Sequence, residues 1–485
     1  YRLPRPCRPI MTWDLTPLFH AIVKDLFPGV KVPYNDYGEL EVAVREKIVE
    51  FGLQPHDAFI LKVIQLFETQ NVRFGVSMVG PTGGGKTTCY RVLAAAMSSL
   101  AEKGFRGDKY DNVVLSVLNP KSVTMGELYG ENNPMTQEWC DGLASTILRD
   151  YAAEDTSVRK WTVFDGPIDA LWIENMNTVL DDNMTLCLAN GERIKLRAAM
   201  KCIFEVQDLE VASPATVSRL GVMYMTPNHM GWKPYVQSWI HRVYGIENAD
   251  RDDVQQVPEV VRSHLFECFS STVEKGLSYV RNSCTEPIAT SDLNLVVSLC
   301  SIFEACFSTT QKVDFGLDSD ELIEILEKTY IFAYAWSIGG GIDDMYRDDF
   351  DDFMQDTFDS STVISADMPR RGTVYDNFID EGEKHQFKQW SSIVPKFKFD
   401  AAVPYFQMLV PTESTVQMSF LLKKMLCVNK PTFVTGVTGT GKSVLVQTLL
   451  TNLQPSPEEG GMGILPTIIG FSAQTNAAVT QSMIE

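Results

Sequence analysis

Two glycine-rich segments of this chain contain the residue types that bind phosphate. Both match G-x-x-x-x-G-K-[ST]: the first, GPTGGGKTT, begins at Gly80, and the second, GVTGTGKS, begins at Gly436. Glycines permit tight turns that aim backbone N–H groups at phosphate oxygens, and the start of the following helix favours an anion. The lysine adds positive charge for the β- and γ-phosphates, and the next hydroxyl can ligate Mg²⁺. The pattern predicts two sites that bind ATP or ADP with Mg²⁺.

The candidate binding residues belong to the two loops and to one acidic position. A phosphate loop needs a carboxylate on a neighbouring strand to hold the magnesium shell, and Asp165, which ends the apolar run WTVFD, is the best candidate. The predicted magnesium ligands are Thr87, Asp165 and Ser443. The loop residues predicted to contact nucleotide are Gly80, Pro81, Thr82, Gly83, Gly84, Gly85, Lys86, Thr87 and Thr88 in the first loop, and Gly436, Val437, Thr438, Gly439, Thr440, Gly441, Lys442 and Ser443 in the second.

The same elements precede both loops in the same order. Before the first loop, apolar periodicity predicts a helix, and residues 74–79 predict a strand. A second such helix is followed by a predicted strand at residues 432–435. The apolar helix positions are Phe59, Ile60, Val63, Ile64 and Phe67 in the first case, and Phe420, Leu421, Met425 and Leu426 in the second.

The texture of the sequence changes between the loops. From about residue 112 to 225, the β-rich runs VVLSVLNP, WTVFDG, KCIFEVQDL and GVMYM alternate with helical runs, which is typical of a parallel sheet with crossover helices. From about 232 to 338 the pattern is helical and includes a predicted buried helix at 293–307, and the glycines at 339–341 end it. The acidic stretch DDMYRDDFDDF follows; it lacks the spacing of an EF-hand and predicts a solvated face or linker.

Composition limits the classes of partner. The chain has 485 residues, too many for one core, and a formal net charge of −20. Such an acidic chain repels phosphate backbones and anionic lipid, so nucleic acid and membrane are not expected partners. The ten cysteines form no C-x-x-C pair, which predicts free thiols. The start at Tyr1 and the end inside an apparent domain predict a segment of a longer chain.

Several strings closely resemble axonemal dynein heavy chains, which are AAA+ motors. GPTGGGKTTCYRVLAAAM, LNPKSVTMGELYGENNPMTQEWCDGLAS, WTVFDGPIDALWIENMNTVLDDNMTLCLANGE and FEVQDLEVASPATVSR are similar to the second AAA+ module, and VPTESTVQMSFLLKKML with TGVTGTGKS is similar to the start of the third. The resemblance implies an α/β fold: a P-loop AAA+ parallel-sheet domain with an α-helical lid domain, then the start of a second P-loop α/β domain. The predicted domains are 1–54 (linker into the module), 55–231 (large domain), 232–342 (lid), 343–398 (acidic linker and lead-in) and 399–485 (partial third module).

The resemblance also implies a biological setting. Dynein heavy chains carry a ring of six such modules and drive movement along microtubules in the cilium or flagellum axoneme. The implied partners are the remaining AAA+ modules of the same heavy chain, intermediate and light chains, and a microtubule reached through a distant stalk that is not in this segment. The implied location is the cytoplasm and cytoskeleton, at the axoneme.

The departures from the AAA+ pattern bear on hydrolysis. AAA+ ATPases usually carry a glutamate base directly after the magnesium-shell aspartate, but here Gly166 follows Asp165. Asp169 and Glu174 are too displaced in sequence to reach the same water. The first site is therefore predicted to hold ATP with little turnover, as the resemblance implies for a second module that keeps a resident nucleotide.

Two further positions carry predicted roles. Arg219, which ends SPATVSR, lies where ring ATPases place an arginine finger, and the resemblance implies that it acts on the preceding module; the alternative is a surface or salt-bridged arginine. Glu205 and Gln207 are both candidates for the polar sensor of the γ-phosphate. Two other classes of protein stay open, a self-standing P-loop ATPase or kinase and another giant ring ATPase such as one that remodels ribosomes.

Overall fold

The computed structural model describes most of the chain, which forms two compact units. The first unit comprises Tyr1–Pro234 and Thr475–Glu485, and the second comprises Tyr235–Gln474. The described residues are 21, 22, 24–28, 37–105, 110–245, 257–380, 382, 385–397, 399, 408–456 and 461–485.

The first unit alternates helices and strands. Its helices are α1 (Gly38–Glu50), α2 (Asp57–Val72), α3 (Lys86–Glu102), α4 (Met125–Tyr129), α5 (Leu143–Ala153), α6 (Ala170–Glu174), α7 (Asn177–Leu180) and α8 (Pro214–Arg219). Its strands are β1 (Gly75–Val79), β2 (Val113–Leu118), β3 (Gly130–Asn132), β4 (Trp139–Asp141), β5 (Arg159–Asp165), β6 (Thr185–Cys187), β7 (Arg193–Lys195), β8 (Met200–Val206) and β9 (Gly221–Tyr224).

The second unit is mostly helical. Its elements are α9 (Lys233–Tyr244), which crosses the boundary, then α10 (Glu259–Ser283), α11 (Asp292–Cys306), α12 (Ser319–Ser337), α13 (Arg347–Asp359), β10 (Asn377–Ile379), β11 (Phe387–Gln389), α14 (Glu413–Cys427) and α15 (Lys442–Leu453). A last helix, α16 (Ala477–Ile484), is grouped with the first unit. Among the described helices, none is both long and apolar enough to span a lipid bilayer.

A five-stranded parallel sheet organises the first unit, in the order β2-β5-β8-β1-β9. All five residues of the interior strand β1 are buried, whereas two residues of the edge strand β2 are exposed. Central parallel strands are covered on both faces, which explains their nearly continuous apolar sequences. The predicted α/β fold with a parallel sheet is confirmed, and each of the four β-rich runs between the loops contributes one of its strands.

Helix α1 corrects the prediction of a linker at residues 1–54. Residues 1–20 of that range lie outside the described residues, but α1 is an integral part of the core of the first unit. Leu40, Val44 and Ile48 are fully buried, with Ala43 beside them. The spacing i, i+4, i+8 places these side chains on one face of the helix. The sequence signal was weak because exposed Val42 and Val49 blur the periodicity.

Packed aromatic and aliphatic side chains fill the second unit. Phe269 of α10 and Tyr330 of α12 have ring centroids 5.2 Å apart, and both rings are fully buried. The predicted buried helix at 293–307 is α11, and α12 ends at Ser337, just before the glycine run. The helical lid predicted from the sequence is confirmed as a fold feature.

The acidic stretch predicted as a solvated face or linker forms helix α13. Asp348, Asp349 and Asp352 are exposed, as a solvated face requires, but Phe350 and Met354 are fully buried. This part of the chain is therefore an amphipathic helix rather than an extended linker. Its aromatic residues recur at helical spacing, a signal that the density of aspartates concealed.

Glu327 of α12 is a buried acid that fixes the segment after α13. Its Oε1 contacts His264 Nε2 at 2.8 Å, and its Oε2 accepts hydrogen bonds from the backbone N–H groups of Ser365 at 2.9 Å and Ala366 at 2.7 Å. Burial by itself raises the pKa of Glu327, but these hydrogen bonds together outweigh burial and hold the pKa below its ordinary value. The ionised form is thus the one that the fold stabilises.

The first prediction concerns α1. Val44→Ala removes two buried methyl groups and should lower the free energy of unfolding of the first unit by roughly 2 kcal/mol. Val49→Ala, in the same helix at a position that is 61% exposed, is the matched control and should have little effect. Urea unfolding measures both; equal effects from the two variants would show that α1 does not pack as described.

The second prediction concerns pH. Since the folded state depresses the pKa of Glu327 below about 4.5, its contribution to stability is present above that pH and is lost as the pH falls through the lowered pKa. Glu327→Gln should therefore be destabilised relative to the native chain at pH 7, and the difference should shrink below pH of about 4.5. The control is Glu324→Gln, at a position on the same helix that is 64% exposed. Urea unfolding at a series of pH values would contradict the assignment if the difference stayed constant.

Candidate nucleotide-binding site

The first phosphate loop connects β1 to α3 and depends on glycine at its start. Gly80 has φ of 150°, and a Cβ placed there would lie 1.8 Å from the backbone oxygen of Met225. Gly85, the residue before α3, has φ of 79°, a left-handed conformation that side chains disfavour. The loop therefore turns tightly at the carboxyl edge of the sheet, the edge where parallel α/β folds bind ligands.

Lys86 is the first residue of α3 and turns back across the loop. Its Nζ donates to the carbonyl oxygens of Gly80 at 2.7 Å and Pro81 at 2.9 Å, and the residue is only 8% exposed. Burial lowers the pKa of Lys86, while the carboxylates of Glu205 and Asp165 act in the opposite direction. A positive charge is thus held inside the curve of the loop, where phosphate oxygens would need it.

Thr87 and Glu205 form the polar contact beside that charge. Thr87 Oγ1 donates to Glu205 Oε1 at 2.7 Å, which joins the first turn of α3 to strand β8. Glu205 Oε2 is buried and has no hydrogen-bond partner among the described residues. Burial and the neighbouring Asp165 raise the pKa of Glu205, while the hydrogen bond from Thr87 acts against them. Of the two sensor candidates, Glu205 faces the loop, whereas Gln207 is exposed.

Asp165 ends β5 and is exposed at the same edge of the sheet. It is the register partner of Glu205 on the neighbouring strand. The hydroxyl of Thr87 and the oxygens of these two carboxylates form a set of hard oxygen donors that fits Mg²⁺, and the orphaned Oε2 supports this fit. No group of three or more His, Cys, Asp or Glu within the described ranges could hold a metal by itself. Mg²⁺ commonly binds one or two carboxylates plus phosphate oxygens, so the two observations agree.

Neither Asp169 nor Glu174 takes the place of the missing base beside Asp165. Gly166 donates its N–H to the backbone oxygen of Glu205 at 3.3 Å, and a Cβ on it would lie 2.7 Å from Asn119 Oδ1. Asp169 caps α6 by accepting from the N–H of Leu171 at 2.9 Å and is paired with Lys121. Glu174 is exposed at the end of α6.

The second loop repeats the local geometry of the first. Lys442 Nζ donates to the backbone oxygens of Gly436 at 2.9 Å and Val437 at 2.7 Å, the same relative positions that Lys86 contacts. Gly439 and Gly441 have φ of 89° and 82°, close to the 82° and 79° of Gly83 and Gly85. The glycine and lysine pattern alone therefore specifies the loop conformation.

The surroundings of the second loop differ. The strand predicted at residues 432–435 is wrong: the segment has no regular secondary structure, and Phe433 is 85% exposed. A strand needs a neighbour to satisfy its backbone groups, and no strand in the described part of the chain pairs with this segment. Lys86 is buried, whereas Lys442 is only half-buried.

An open cavity of about 570 Å³ lies beside the second loop. Loop residues including Lys442 and Ser443 form its polar side, and Met408, Leu409 and Val410 add an apolar wall. The glycine-rich motif gives no indication of this wall. Its only signal was a short apolar run directly before Pro411.

Arg219 is the last residue of α8 and is held within its own unit. Its Nε forms an ion pair with Asp181, which follows α7, and Nη1 donates to the carbonyl oxygen of Ala215 at 2.9 Å. Its side chain is nevertheless 32% exposed. The arginine is therefore locally paired and still accessible, and the structure places it neither in the first loop nor beside Thr87.

Comparison with known proteins agrees with this geometry. Four family models match, described as the AAA domain of the dynein-related subfamily (75–220), the dynein heavy chain AAA lid domain (264–392), the hydrolytic ATP binding site of the dynein motor region (7–87) and the P-loop containing dynein motor region (397–485).

Individual relatives match along almost the whole chain. Dynein axonemal heavy chain 6 of Homo sapiens is 42% identical over 96% of this chain, dynein axonemal heavy chain 1 of Mus musculus is 39% identical over 96%, and dynein axonemal heavy chain 2 of Homo sapiens is 36% identical over 97%. The chain spans only 10% or 11% of the length of these relatives.

A parallel-sheet domain with a P-loop, joined to a helical lid that matches a dynein model, defines a nucleotide-binding AAA+ segment of a dynein motor region. The chain belongs to the axonemal dynein heavy chain family. The predicted family and its nucleotide-binding class are confirmed.

The third prediction concerns the two lysines. Lys86→Ala removes the buried charge inside the first loop and should abolish most binding of a fluorescent ATP analogue. Lys442→Ala is the matched change at a loop of the same local geometry and should have a smaller effect, because that loop is exposed and no strand among the residues described supports it. Equilibrium titration of both variants checks this; undiminished binding by Lys86→Ala would contradict the assignment.

Proposed function

We propose that this chain is a structural and regulatory nucleotide-binding part of the AAA+ ring of an axonemal dynein heavy chain. The first site holds ATP or ADP with Mg²⁺ and turns it over slowly. The whole heavy chain works as a microtubule motor of the cilium or flagellum, in contact with its other AAA+ modules and with intermediate and light chains. Contact with the microtubule is made by a stalk outside this segment.

One observation carries the proposal: the phosphate-binding half of the first site is complete, whereas its hydrolytic half lacks a base. Lys86 and Thr87 both lie in the first turn of α3, where the Lys86 ammonium reaches back to the loop and the Thr87 hydroxyl contacts Glu205. The residue after Asp165 is Gly166, which cannot accept a proton from water. Such a site gains binding energy without accelerating the chemical step.

The residues divide the work of binding. The backbone N–H groups from Gly83 to Thr87 point a partial positive charge at phosphate oxygens, and Lys86 adds a full charge. Mg²⁺, when bound, neutralises phosphate charge; Thr87 and Asp165 are the residues proposed to hold it. A nucleotide that binds only one arrangement of the segment stabilises that arrangement by mass action.

The second loop is proposed to bind nucleotide as well, but only weakly in this chain. Gly436, Lys442 and Ser443 have the required local conformation, and the apolar wall at Met408–Val410 gives a nucleotide base a surface to contact. Among the described residues, no sheet lies behind this exposed loop to fix its position. We therefore assign the first site as the principal one.

Nucleotide content and turnover test the proposal together. The purified chain, denatured and analysed by chromatography, should release bound ATP or ADP, while its steady-state ATP turnover should stay close to background. Fast turnover by the chain alone would contradict the proposal and favour a self-standing P-loop ATPase.

Arg219 is proposed to assist hydrolysis in the preceding module. A guanidinium stabilises charge that develops on the γ-phosphate in the transition state, and a finger of this kind contributes on the order of 10³–10⁵ in turnover where chemistry is rate-limiting. To reach a neighbour, the side chain must exchange Asp181 for phosphate oxygens. Its exposure permits that exchange.

The fourth prediction tests this role in a full-length heavy chain that carries the segment. Arg219→Ala should depress ATP turnover strongly and leave binding at the first loop nearly unchanged. Arg193→Ala, at an exposed arginine of the same unit, is the control. A purely structural Arg219 would behave differently: normal turnover with a lower melting temperature of this segment would exclude the finger.

A further inference from the structure

Glu205 is unusual because one of its two carboxylate oxygens makes no hydrogen bond with the described residues. The residue is 9% exposed and lies on β8, the central strand of the sheet. Oε1 accepts from Thr87, but Oε2 is buried without a partner among the described residues. A buried carboxylate oxygen without a hydrogen bond is costly, and groups of this kind call for a functional explanation.

The charges around Glu205 indicate what would satisfy it. Its register partner is Asp165, so two carboxylates lie on adjacent strands, with Lys86 as the basic group that interacts with both. A triphosphate bound to the loop would bring further negative charge to this place. Carboxylates and phosphates repel each other unless a cation lies between them, and a divalent ion is the smallest group that reconciles them.

We propose that Glu205 is the principal carboxylate of the magnesium shell in the first site. Thr87 keeps donating its hydroxyl proton to Oε1, which leaves the hydroxyl lone pairs for the ion. Oε2 accepts from the water shell of the ion or binds the ion itself. Glu205 on β8 thereby holds the magnesium shell, the role that the sequence predicted for Asp165. Asp165 contributes negative charge from the exposed end of β5.

The contact with Thr87 distinguishes this role from that of a catalytic base. A base must direct a free oxygen at the water that attacks the γ-phosphate. Glu205 uses Oε1 to bind the hydroxyl that serves the metal side of the loop, so we assign its remaining oxygen, Oε2, to the metal shell rather than to that water. Such a residue tunes how strongly binding of ATP depends on Mg²⁺ and leaves turnover slow. The inference rests on the proposed function of the first site as a Mg²⁺–nucleotide site.

The fifth prediction is tested by titrating a fluorescent ATP analogue into the full chain with Mg²⁺ and, separately, with EDTA. The dissociation constant in EDTA divided by the dissociation constant in Mg²⁺ measures how strongly Mg²⁺ assists binding. Glu205→Gln, which keeps the shape and removes the charge, should reduce this ratio by about 10- to 100-fold, the range found when groups that orient metal ligands are lost. Gln207→Ala, at the exposed neighbouring candidate, should leave the ratio unchanged.

Thermal melting gives a second readout. The change in melting temperature caused by Glu205→Gln should depend on whether the ligands are present, which is not expected of a merely structural residue. Without Mg²⁺ and nucleotide, Glu205→Gln should melt at the same temperature as the native chain or higher, because a buried charge is gone. With both ligands present, it should melt at a lower temperature than the native chain. If Glu205→Gln fails to fold, Glu205→Asp retains the charge but shortens its reach, and the same reduced ratio is expected.

The outcomes separate the inference from the function on which it rests. If the native chain binds no analogue under either condition, the proposed function fails. If it binds with strong Mg²⁺ dependence that Glu205→Gln preserves and Asp165→Asn removes, Asp165 holds the ion and the inference is overturned. Loss of turnover in Glu205→Gln with an unchanged ratio would assign Glu205 as a base and would also overturn it.

Discussion

The register of β1 between β8 and β9 is the constraint on which the first site depends. Val79 pairs with Val206 on one side and Tyr224 on the other, so the loop after β1 leaves the sheet beside Glu205 and Met225. A slip of one residue would reverse every side chain of the strand and remove Glu205 from the reach of Thr87. The side chains of β1 are buried on both faces of the sheet. Such a slip is costly because each side chain would then have to pack on the opposite face. The apolar interior of the sheet therefore fixes the positions of the polar residues at its carboxyl edge.

The pattern of glycines and apolar residues was sufficient to predict the sheet, the lid and both loops. These features depend on local spacing, which the sequence displays directly. Contacts with other elements are different, because the choice between Glu205 and Gln207 depends on where β8 ends relative to α3. Alternation places the two residues on the same side of an ideal strand, but β8 ends at Val206, and Gln207 turns out to solvent. Nothing in the sequence marks that end.

Two errors have a common physical origin. Helix α1 was predicted as a linker although four of its side chains are buried. Residues 432–435 were predicted as a strand although no strand in the described ranges pairs with them. In both cases the decisive fact is what the segment packs against, which is a property of distant parts of the chain. The two phosphate loops also show that local conformation and packing are determined separately. Their glycine φ angles agree closely, whereas Gly80 and Lys86 are buried and the matching Gly436 and Lys442 are not, so conformation is local and burial is not.

The packing of Gly166 against Asn119 has a consequence for how this family member could change. A side chain at position 166 would have its Cβ 2.7 Å from Asn119 Oδ1, and that oxygen already accepts the N–H of Lys121 at 2.9 Å. A single substitution to glutamate would therefore meet an obstacle before its carboxylate could reach a water molecule. A side chain at position 166 requires the Asn119 side chain to move, and that movement would release the turn that Lys121 helps to form. Positions 119 and 166 are therefore coupled: the residue after Asp165 and the turn at Asn119 can change together more readily than either can change alone.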